Sequence, residues 1–202
     1  MASDTLSVLI VDENAIRASI IEAGLSEAGD VNVVVVHGLH GLVAEIERVS
    51  PDVIVVDLEH ASRDLLEAYF SISRSVQRPI AMFVDKSDPG WIEAAIDAGV
   101  SSYVVDGLRQ DRVKPIIDTA ISRFDAFRRM QRELEATKDQ LAARTIVERA
   151  KGILMRTRGL SEDEAYNLLR KSAMNQNRKI AEVAESLISA ADLLAPGGDQ
   201  GP

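Results

Sequence analysis

Three carboxylates follow short apolar runs in the first third of the chain. Asp12 and Glu13 come directly after Ser7–Val11, and Asp57 comes directly after Val53–Val56. If both runs are parallel strands, their carboxyl ends meet at one edge of the sheet, where folds of this kind bind ligands. Carboxylate oxygens suit Mg²⁺, and a carboxylate beside such an ion can accept a phosphoryl group. We therefore expect a Mg²⁺ site at Asp12, Glu13 and Asp57, with Asp57 as the candidate phosphoacceptor.

A second set of chemically useful residues lies in the last third of the chain, and its members are basic or carry an amide. Residues 140–181 contain 9 basic and 4 acidic side chains, a net charge of +5. Such side chains at a helix junction can hold a phosphate backbone while they read the base edges of an RNA loop. An ordinary solvated helix surface would produce the same balance of charge. The candidate RNA-binding residues are Arg144, Lys151, Arg156, Arg158, Arg170, Lys171, Asn175, Arg178 and Lys179.

The two halves of the chain differ in charge. Residues 1–111 hold 7 basic and 19 acidic side chains, a net charge of −12, whereas residues 112–202 hold 16 and 13, a net charge of +3. Such asymmetry favours different partners for the two halves, with an anion such as a nucleic acid for the second.

The composition excludes several classes of protein. The 202 residues, 46% of them hydrophobic, are enough for one large domain or two small ones. Because there is no Cys, a disulfide scaffold, a Cys-ligated zinc site and a thiol nucleophile are excluded. No apolar run reaches the roughly 18–20 residues that span a bilayer, and the first residues lack the basic segment of a signal peptide. We expect a soluble, cytoplasmic protein that does not act at a membrane.

The first 111 residues alternate β-branched runs with stretches of helical period. The runs are nearly all apolar, which is typical of parallel strands covered on both faces. Their alternation with helices predicts an α/β fold, a doubly wound domain with a five-stranded parallel sheet over residues 1–125. The predicted strands are Ser7–Val11, Val33–Val36, Val53–Val56, Ile80–Val84 and Tyr103–Val105, and the predicted helices are Ala15–Ala28, Leu42–Val49, Leu65–Ser75 and Pro89–Ala98.

The acid pair, the single Asp57 and the five-strand spacing resemble the receiver domains of two-component response regulators. Receivers usually carry Thr or Ser at the end of strand four and Lys at the end of strand five, where this chain has Val84 and Asp106. The departures remove a hydroxyl donor and exchange a phosphate-binding cation for a like charge. Asp85 and Asp106 would repel a phosphorylated Asp57, and Lys86 supplies a cation only if its loop folds back. We therefore expect that phosphorylation is not the main switch.

From Arg112 onward the pattern predicts one long helix that stops at Gly159. Its apolar positions alternate by four and three, as in the a and d positions of a coiled coil, and Gln131 and Lys138 occupy interior a positions. Polar a residues fix register and favour a dimer. We expect residues 112–143 to form a dimeric coiled-coil linker, with a lone surface helix as the alternative. The predicted seam consists of Ile117, Ala120, Phe124, Phe127, Leu134 and Leu141.

The pattern of residues 144–194 predicts a three-helix, all-α module. Its first helix is the end of the long helix, and Ser161–Glu164 has the pattern of a capping box that opens the second. This second helix is predicted to run to Met174, Asn175–Asn177 to break it, and a third helix to run over 179–194. The tail, residues 195–202, has a composition typical of disorder.

Five short matches in this module resemble the ANTAR module of bacterial RNA-binding transcription antiterminators. Combined with MFVD at Met82–Asp85 and YVVDGL at Tyr103–Leu108, they make the chain similar to the NasT-type regulators of nitrate and nitrite assimilation. The matching residues are Ala150–Met155, Glu164-Ala165, Leu168-Leu169, Ala173-Met174 and Val183-Ala184.

The resemblance implies a non-enzymatic regulator that binds stem-loops in a structured leader RNA and lets polymerase continue into downstream genes. It also implies a homodimer when active, and control of the receiver by a sensor protein or a histidine kinase. Three alternatives stay open: a phosphorelay regulator driven by Asp57, a protein-interaction adaptor, and a DNA-binding helix-turn-helix. The third helix disfavours DNA, because residues 180–194 contain Glu182, Glu185 and Asp192 but no basic side chain. Tyr166 is the only aromatic residue after Phe127, so a stacking platform is not expected.

Overall fold

The computed structural model describes residues 5–27, 29–59, 62–106 and 108–194. The chain divides into two compact units, Met1–Arg129 and Met130–Pro202. The strands are β1 (Leu6–Val11), β2 (Val31–Val36), β3 (Val53–Leu58), β4 (Ile80–Val84) and β5 (Ser102–Val105). The helices are α1 (Ala15–Ser26), α2 (Leu42–Val49), α3 (Arg63–Ser75), α4 (Pro89–Asp97), α5 (Gln110–Arg158), α6 (Glu162–Gln176) and α7 (Ile180–Leu194). The predicted α/β class and the five strands are confirmed, while Ala28 and the tail 195–202 lie outside the described residues.

The five strands form one parallel sheet in the order β2-β1-β3-β4-β5. The order makes β1 and β3 neighbours, and Val11 pairs with Val56 at their carboxyl ends. The residues that follow, Asp12 and Asp57, therefore lie next to each other at one edge of the sheet. The direction change between β1 and its two neighbours is where doubly wound folds open a crevice.

Helices cover both faces of the sheet, which is why the strands are mostly apolar. Alternate side chains of a strand point to opposite faces, so Leu9 and Val11 enter one core while Val8 and Ile10 enter the other. The first core packs against α2, α3 and α4, and the second against α1 and the start of α5. At this second contact a Cβ on Gly24 would lie 2.5 Å from the Gln110 carbonyl oxygen, so only glycine allows the approach.

The first part of α5 belongs to the core of the N-terminal unit. Ile117 and Ala120 are fully buried against the sheet together with Val113. The predicted seam was wrong at these two positions, because a side chain buried within its own domain cannot also pair with a second helix. The positions that stay exposed are Phe127, Leu134 and Leu141, at 61%, 54% and 66%.

The C-terminal unit is all-α, and its core collects buried side chains from the end of α5, from α6 and from α7. The predicted capping box is confirmed: the Ser161 hydroxyl accepts from the Glu164 N–H, and the Glu164 carboxylate accepts from the Ser161 N–H. Gly159 and Asn177 end α5 and α6 with φ of +66° and +50°, in the left-handed region. The second helix runs two residues further than Met174, because the break falls on the single residue Asn177.

Candidate functional sites

The predicted acidic residues share one cavity at the carboxyl edge of the sheet. Asp12, Glu13 and Asp57 line a space of about 500 Å³ between the β1–α1 loop, the end of β3 and α3. Asp12 and Asp57 are buried, because each directly continues a strand that is covered on both faces. Tyr69 of α3 lines the same cavity, and burial, with Glu13 and Asp12 nearby, raises the pKa of Tyr69 to about 12.

Arg17, on the first turn of α1, is the main partner of Asp57. The Nε and Nη2 groups of Arg17 donate to Asp57 Oδ2 and Oδ1, both at 2.6 Å, and Nη1 lies 2.9 Å from Asp85 Oδ1. The loop geometry brings Arg17 there, because Asn14 caps α1 by accepting from the backbone N–H groups of Ile16 and Arg17. The hydrogen bonds that Arg17 donates to Asp57 raise the pKa of Arg17 above its ordinary value, so the guanidinium is charged throughout the physiological range.

Asp12 is less completely partnered than Asp57. Its Oδ1 accepts the Asn14 N–H at 2.7 Å, whereas Oδ2 is buried without a hydrogen-bond partner among the described residues. Burial, reinforced by the neighbouring Asp57, raises the pKa of Asp12 from 3.8 to about 6. The carboxyl group of Asp12 therefore takes up a proton more readily than an ordinary aspartate.

As arranged, this pocket does not fit a divalent cation. Both oxygens of Asp57 already accept hydrogen bonds from Arg17. Across the described part of the chain, no three His, Cys, Asp or Glu side chains are grouped closely enough to hold a metal ion. The fold brings the predicted ligands Asp12, Glu13 and Asp57 to one cavity. The carboxylate of Asp57, however, is already paired with the guanidinium of Arg17.

The two positions that depart from the receiver pattern lie at the carboxyl ends of β4 and β5. Val84 is buried at the end of β4, and Asp106, at φ +48°, is exposed after β5. Asp85 and Asp57 both contact the guanidinium of Arg17, and the expected repulsion of a phosphorylated Asp57 by Asp85 and Asp106 stays a prediction. Lys86 is exposed, so the cation that Asp57 contacts comes from α1 and not from the loop after β4.

The contact of Arg17 with the acidic pocket was not predicted from the sequence. Arg17 is the only Lys or Arg among the first 47 residues, and it stands four residues after the acid pair. Its position as a single cation in an acidic segment could have predicted the contact, because buried carboxylates need a nearby counter-charge.

In the C-terminal unit, the junction between α6 and α7 forms an open groove of about 480 Å³. Three of the predicted cations, Arg170, Arg178 and Lys179, line it. Tyr166, with 43% of its surface exposed, lies on the same wall, although the sequence argument set it aside as a stacking residue. The other lining residues are Ala173, Met174, Asn177 and Ile180.

Arg178 is fixed in place at this groove by contacts with α7. Its guanidinium donates to the Glu182 carboxylate at 3.4 Å, the Glu182 carbonyl at 3.1 Å and the Ser186 hydroxyl at 3.1 Å. An arginine held at several points keeps its remaining surface in one orientation, which reduces the entropy lost on binding a phosphate.

The other predicted RNA-binding residues are distributed differently. Arg156 and Arg158 line a separate groove beside Leu187 and Leu194. Arg144, Lys171 and Asn175 are exposed but do not line the groove at the α6–α7 junction.

Lys151 is not the exposed flank cation that the sequence suggested. Its side chain is only 8% exposed, and Nζ lies 2.8 Å from Glu148 and 2.7 Å from Glu162. The hydrogen bonds that the ammonium group donates to Glu148 and Glu162 raise the pKa of Lys151. Lys151 is covered because the packing of α6 against α5 brings Glu162 next to it. The spacing of residues along α5 alone does not predict this contact.

A response regulator and a receiver domain are among the solved structures with a similar fold. A response regulator from Thermotoga maritima is similar with a TM-score of 0.51 and 22% identity, over 58% of this chain and 98% of that one. A CheY-like receiver domain from Methanospirillum hungatei JF-1 is similar with a TM-score of 0.52 and 14% identity, over 61% and 98%. At this identity the likeness concerns the fold, which is that of a response-regulator receiver.

Sequence comparison extends the likeness to the C-terminal unit. Residues 135–188 match the ANTAR domain family. The transcriptional regulatory protein PdtaR of Mycobacterium tuberculosis is 30% identical over 72% of this chain and 70% of its own length. The nitrate regulatory protein of Klebsiella oxytoca is 28% identical over 68% of this chain and 29% of its own length. The chain belongs to the ANTAR-domain response regulators of the NasT type.

Within the described residues, no helix is both long and apolar enough to cross a membrane.

Proposed function

We propose that this protein is a cytoplasmic transcription antitermination regulator whose C-terminal module binds stem-loops in a leader RNA. The observation that carries the proposal is the groove at the α6–α7 junction, where Arg170, Arg178 and Lys179 surround Tyr166 and Asn177. Three cations neutralise phosphates, while an aromatic ring and an amide at the same groove suit an unpaired base of a hairpin loop. Tyr166 therefore takes the role of a base-stacking residue that the sequence argument did not assign to it.

The remaining exposed cations extend the phosphate-binding surface. Arg144, Arg156, Arg158 and Lys171 are free to contact the stem, whose backbone passes beyond a single groove. Asn175 and Asn177 are the candidates for reading loop bases. Lys151 is assigned a structural task, because two carboxylates already neutralise it.

Three further parts of the proposal concern control. Nitrate and nitrite assimilation genes are the proposed targets, by analogy with the relative from Klebsiella oxytoca. The N-terminal unit is proposed to respond to a sensor protein, since the Asp57 carboxylate is held by Arg17 and its usual switch partners are replaced by Val84 and Asp106. Active molecules are proposed to pair through Phe127, Leu134 and Leu141, whose exposed side chains need a partner.

The test is titration of a leader hairpin RNA with the full chain at several salt concentrations. Lys179→Ala should weaken binding and reduce the log–log salt slope by roughly 0.7–0.9, the value for one lost phosphate contact. Tyr166→Ala should weaken binding at constant slope, because stacking releases no counter-ions. Arg63→Ala, which removes an exposed cation of α3 paired with Glu67, is the matched control and should change neither quantity.

Two outcomes would replace the proposal. Preferential binding of promoter DNA over hairpin RNA would select the helix-turn-helix alternative. Equal affinity for the hairpin in wild type, Lys179→Ala and Tyr166→Ala would remove the groove from the binding surface, and no binding to either nucleic acid would leave the adaptor alternative.

A further inference from the structure

The guanidinium of Arg17 is fully engaged in the acidic pocket. Each of its three nitrogens contacts a carboxylate, two of them on Asp57 and one on Asp85. Two parallel N–H donors on one carboxylate form a bidentate pair, the strongest geometry that arginine makes with an acid. The contact also crosses between elements, because Arg17 belongs to α1, Asp57 to β3 and Asp85 to the loop after β4.

Arg17 also controls access to Asp57. The Asp57 side chain is 0% exposed, while that of Arg17 keeps 17% of its surface in contact with solvent. Any cation or donor that approaches Asp57 from the side of Arg17 must first displace the guanidinium. From the cavity side, a cation would find the two Asp57 oxygens already hydrogen-bonded.

We infer that Arg17 is a built-in counter-ion that takes the place of a divalent cation at Asp57. Its single positive charge offsets one of the two negative charges of Asp57 and Asp85, so Asp57 obtains its counter-charge from within the chain. The N-terminal unit is thereby held in one state that needs no metal ion and no modification of Asp57. A divalent cation gains a site only when the guanidinium is removed. This inference concerns the N-terminal unit alone and does not depend on RNA binding.

The experiment uses Mn²⁺ as the probe, since the electron paramagnetic resonance signal of free Mn²⁺ is lost when the ion binds to protein. Full-length Arg17→Ala should bind one Mn²⁺ ion per chain at concentrations where the wild type leaves the ion free. The affinity of the variant for Mn²⁺ should be at least about tenfold higher than that of the wild type. The double variant Arg17→Ala/Asp57→Asn should lose this site again. Arg63→Ala removes an ordinary surface cation and should behave as wild type.

Two results would overturn the inference. One is a wild-type protein that binds Mn²⁺ as tightly as Arg17→Ala through a site that Asp57→Asn abolishes. The other is Arg17→Ala, shown by circular dichroism to be folded, that binds no more Mn²⁺ than wild type.

If Arg17→Ala does not fold, nuclear magnetic resonance on the wild type gives the answer. The Arg17 Nε–H signal should be protected from exchange and unmoved by millimolar Mg²⁺. A shift or broadening of that signal on titration with Mg²⁺, absent with a monovalent salt of equal ionic strength, would overturn the inference as well.

Discussion

At the residue scale, two carboxylates of the same pocket have opposite environments. Both oxygens of Asp57 accept hydrogen bonds from Arg17, whereas Asp12 has one oxygen bound to the Asn14 N–H and another buried without a partner among the described residues. A buried carboxylate with an unpaired oxygen favours its neutral form, because the protonated acid loses less hydration than the anion. Asp57 and Asp12 differ in their hydrogen-bond partners because the guanidinium of Arg17 bonds to Asp57 and not to Asp12.

This difference predicts a pH dependence of stability. The pKa of Asp12 is about 6 in the folded protein against an ordinary value of 3.8. Because the folded value is raised, the stabilising contribution is complete below pH 4 and is lost as the pH rises through about 6. Relative to Asp12→Asn, the wild type should lose up to about 3 kcal/mol of unfolding free energy across that window. Urea denaturation of both proteins from pH 4 to 7.5 measures the free energy of unfolding at each pH. A constant difference between the two proteins across this range would contradict the raised pKa of Asp12.

At the element scale, local signals set the helix boundaries of the C-terminal unit, and an apolar core and ion pairs join its helices. The capping box starts α6, Gly159 ends α5, and Lys151 joins the two helices through Glu162. The small buried side chains Ala150 and Ala165 allow the helices to approach closely in the same core. Lys151 is therefore a contact between elements, with its charge already neutralised.

Lys151→Ala should accordingly lower the Tm of the full chain and leave the salt slope of RNA binding unchanged. The loss of stability should be smaller than that of Leu169→Ala, a core truncation on α6 worth about 2–5 kcal/mol. Thermal melts together with the hairpin titrations separate the two effects. A shallower salt slope for Lys151→Ala at unchanged Tm would instead make Lys151 a phosphate contact.

At the scale of the whole molecule, α5 passes from one unit into the other. Its start is buried in the N-terminal core through Val113, Ile117 and Ala120, and its end contributes Val147 and Ala150 to the C-terminal core. The stretch between them exposes large apolar side chains, including Phe127 and Leu134. A protein partner or a second copy that covers this stretch would act on both units through a single helix.

The seam predicts an effect on assembly. Leu134→Glu places a charge at a d position and should weaken a dimer by about 2–4 kcal/mol, since the charge would be desolvated on pairing. Ala136→Glu, at the f position on the opposite side of the same helix, should leave assembly unchanged. Light scattering over a range of concentrations, with and without hairpin RNA, measures both. A monomeric mass for the wild type under every condition would exclude the seam as an interface.

Control without phosphorylation makes a further prediction for the full chain. Asp57→Asn should bind hairpin RNA as the wild type does, and a small phosphodonor should add no phosphoryl mass to the wild type, because Arg17 occupies both Asp57 oxygens. Asp64→Asn, an exposed carboxylate on α3, is the control for removal of a charge. A folded Asp57→Asn protein that no longer induces its target genes would restore the phosphorelay alternative.

Patterns within the sequence determined the elements of this protein. Nearly continuous apolar runs located the strands, helical spacing located most helices, and Gly159 and Ser161 marked two boundaries, because these signals act over a few neighbouring residues. The convergence of Asp12 and Asp57 also followed from the sequence, since parallel strands that alternate with helices must end at one edge of the sheet.

Only the tertiary structure decided which charged side chains meet. Arg17 reaches Asp57 across 40 residues, and Lys151 reaches Glu162 across a turn between helices. Packing likewise assigned Ile117 to the N-terminal core, although its heptad position was equally suited to a coiled coil. The physical reason is the same in each case. The partner of a long side chain or of an apolar face depends on how whole helices and strands are arranged, and the spacing of residues along one element does not predict that arrangement.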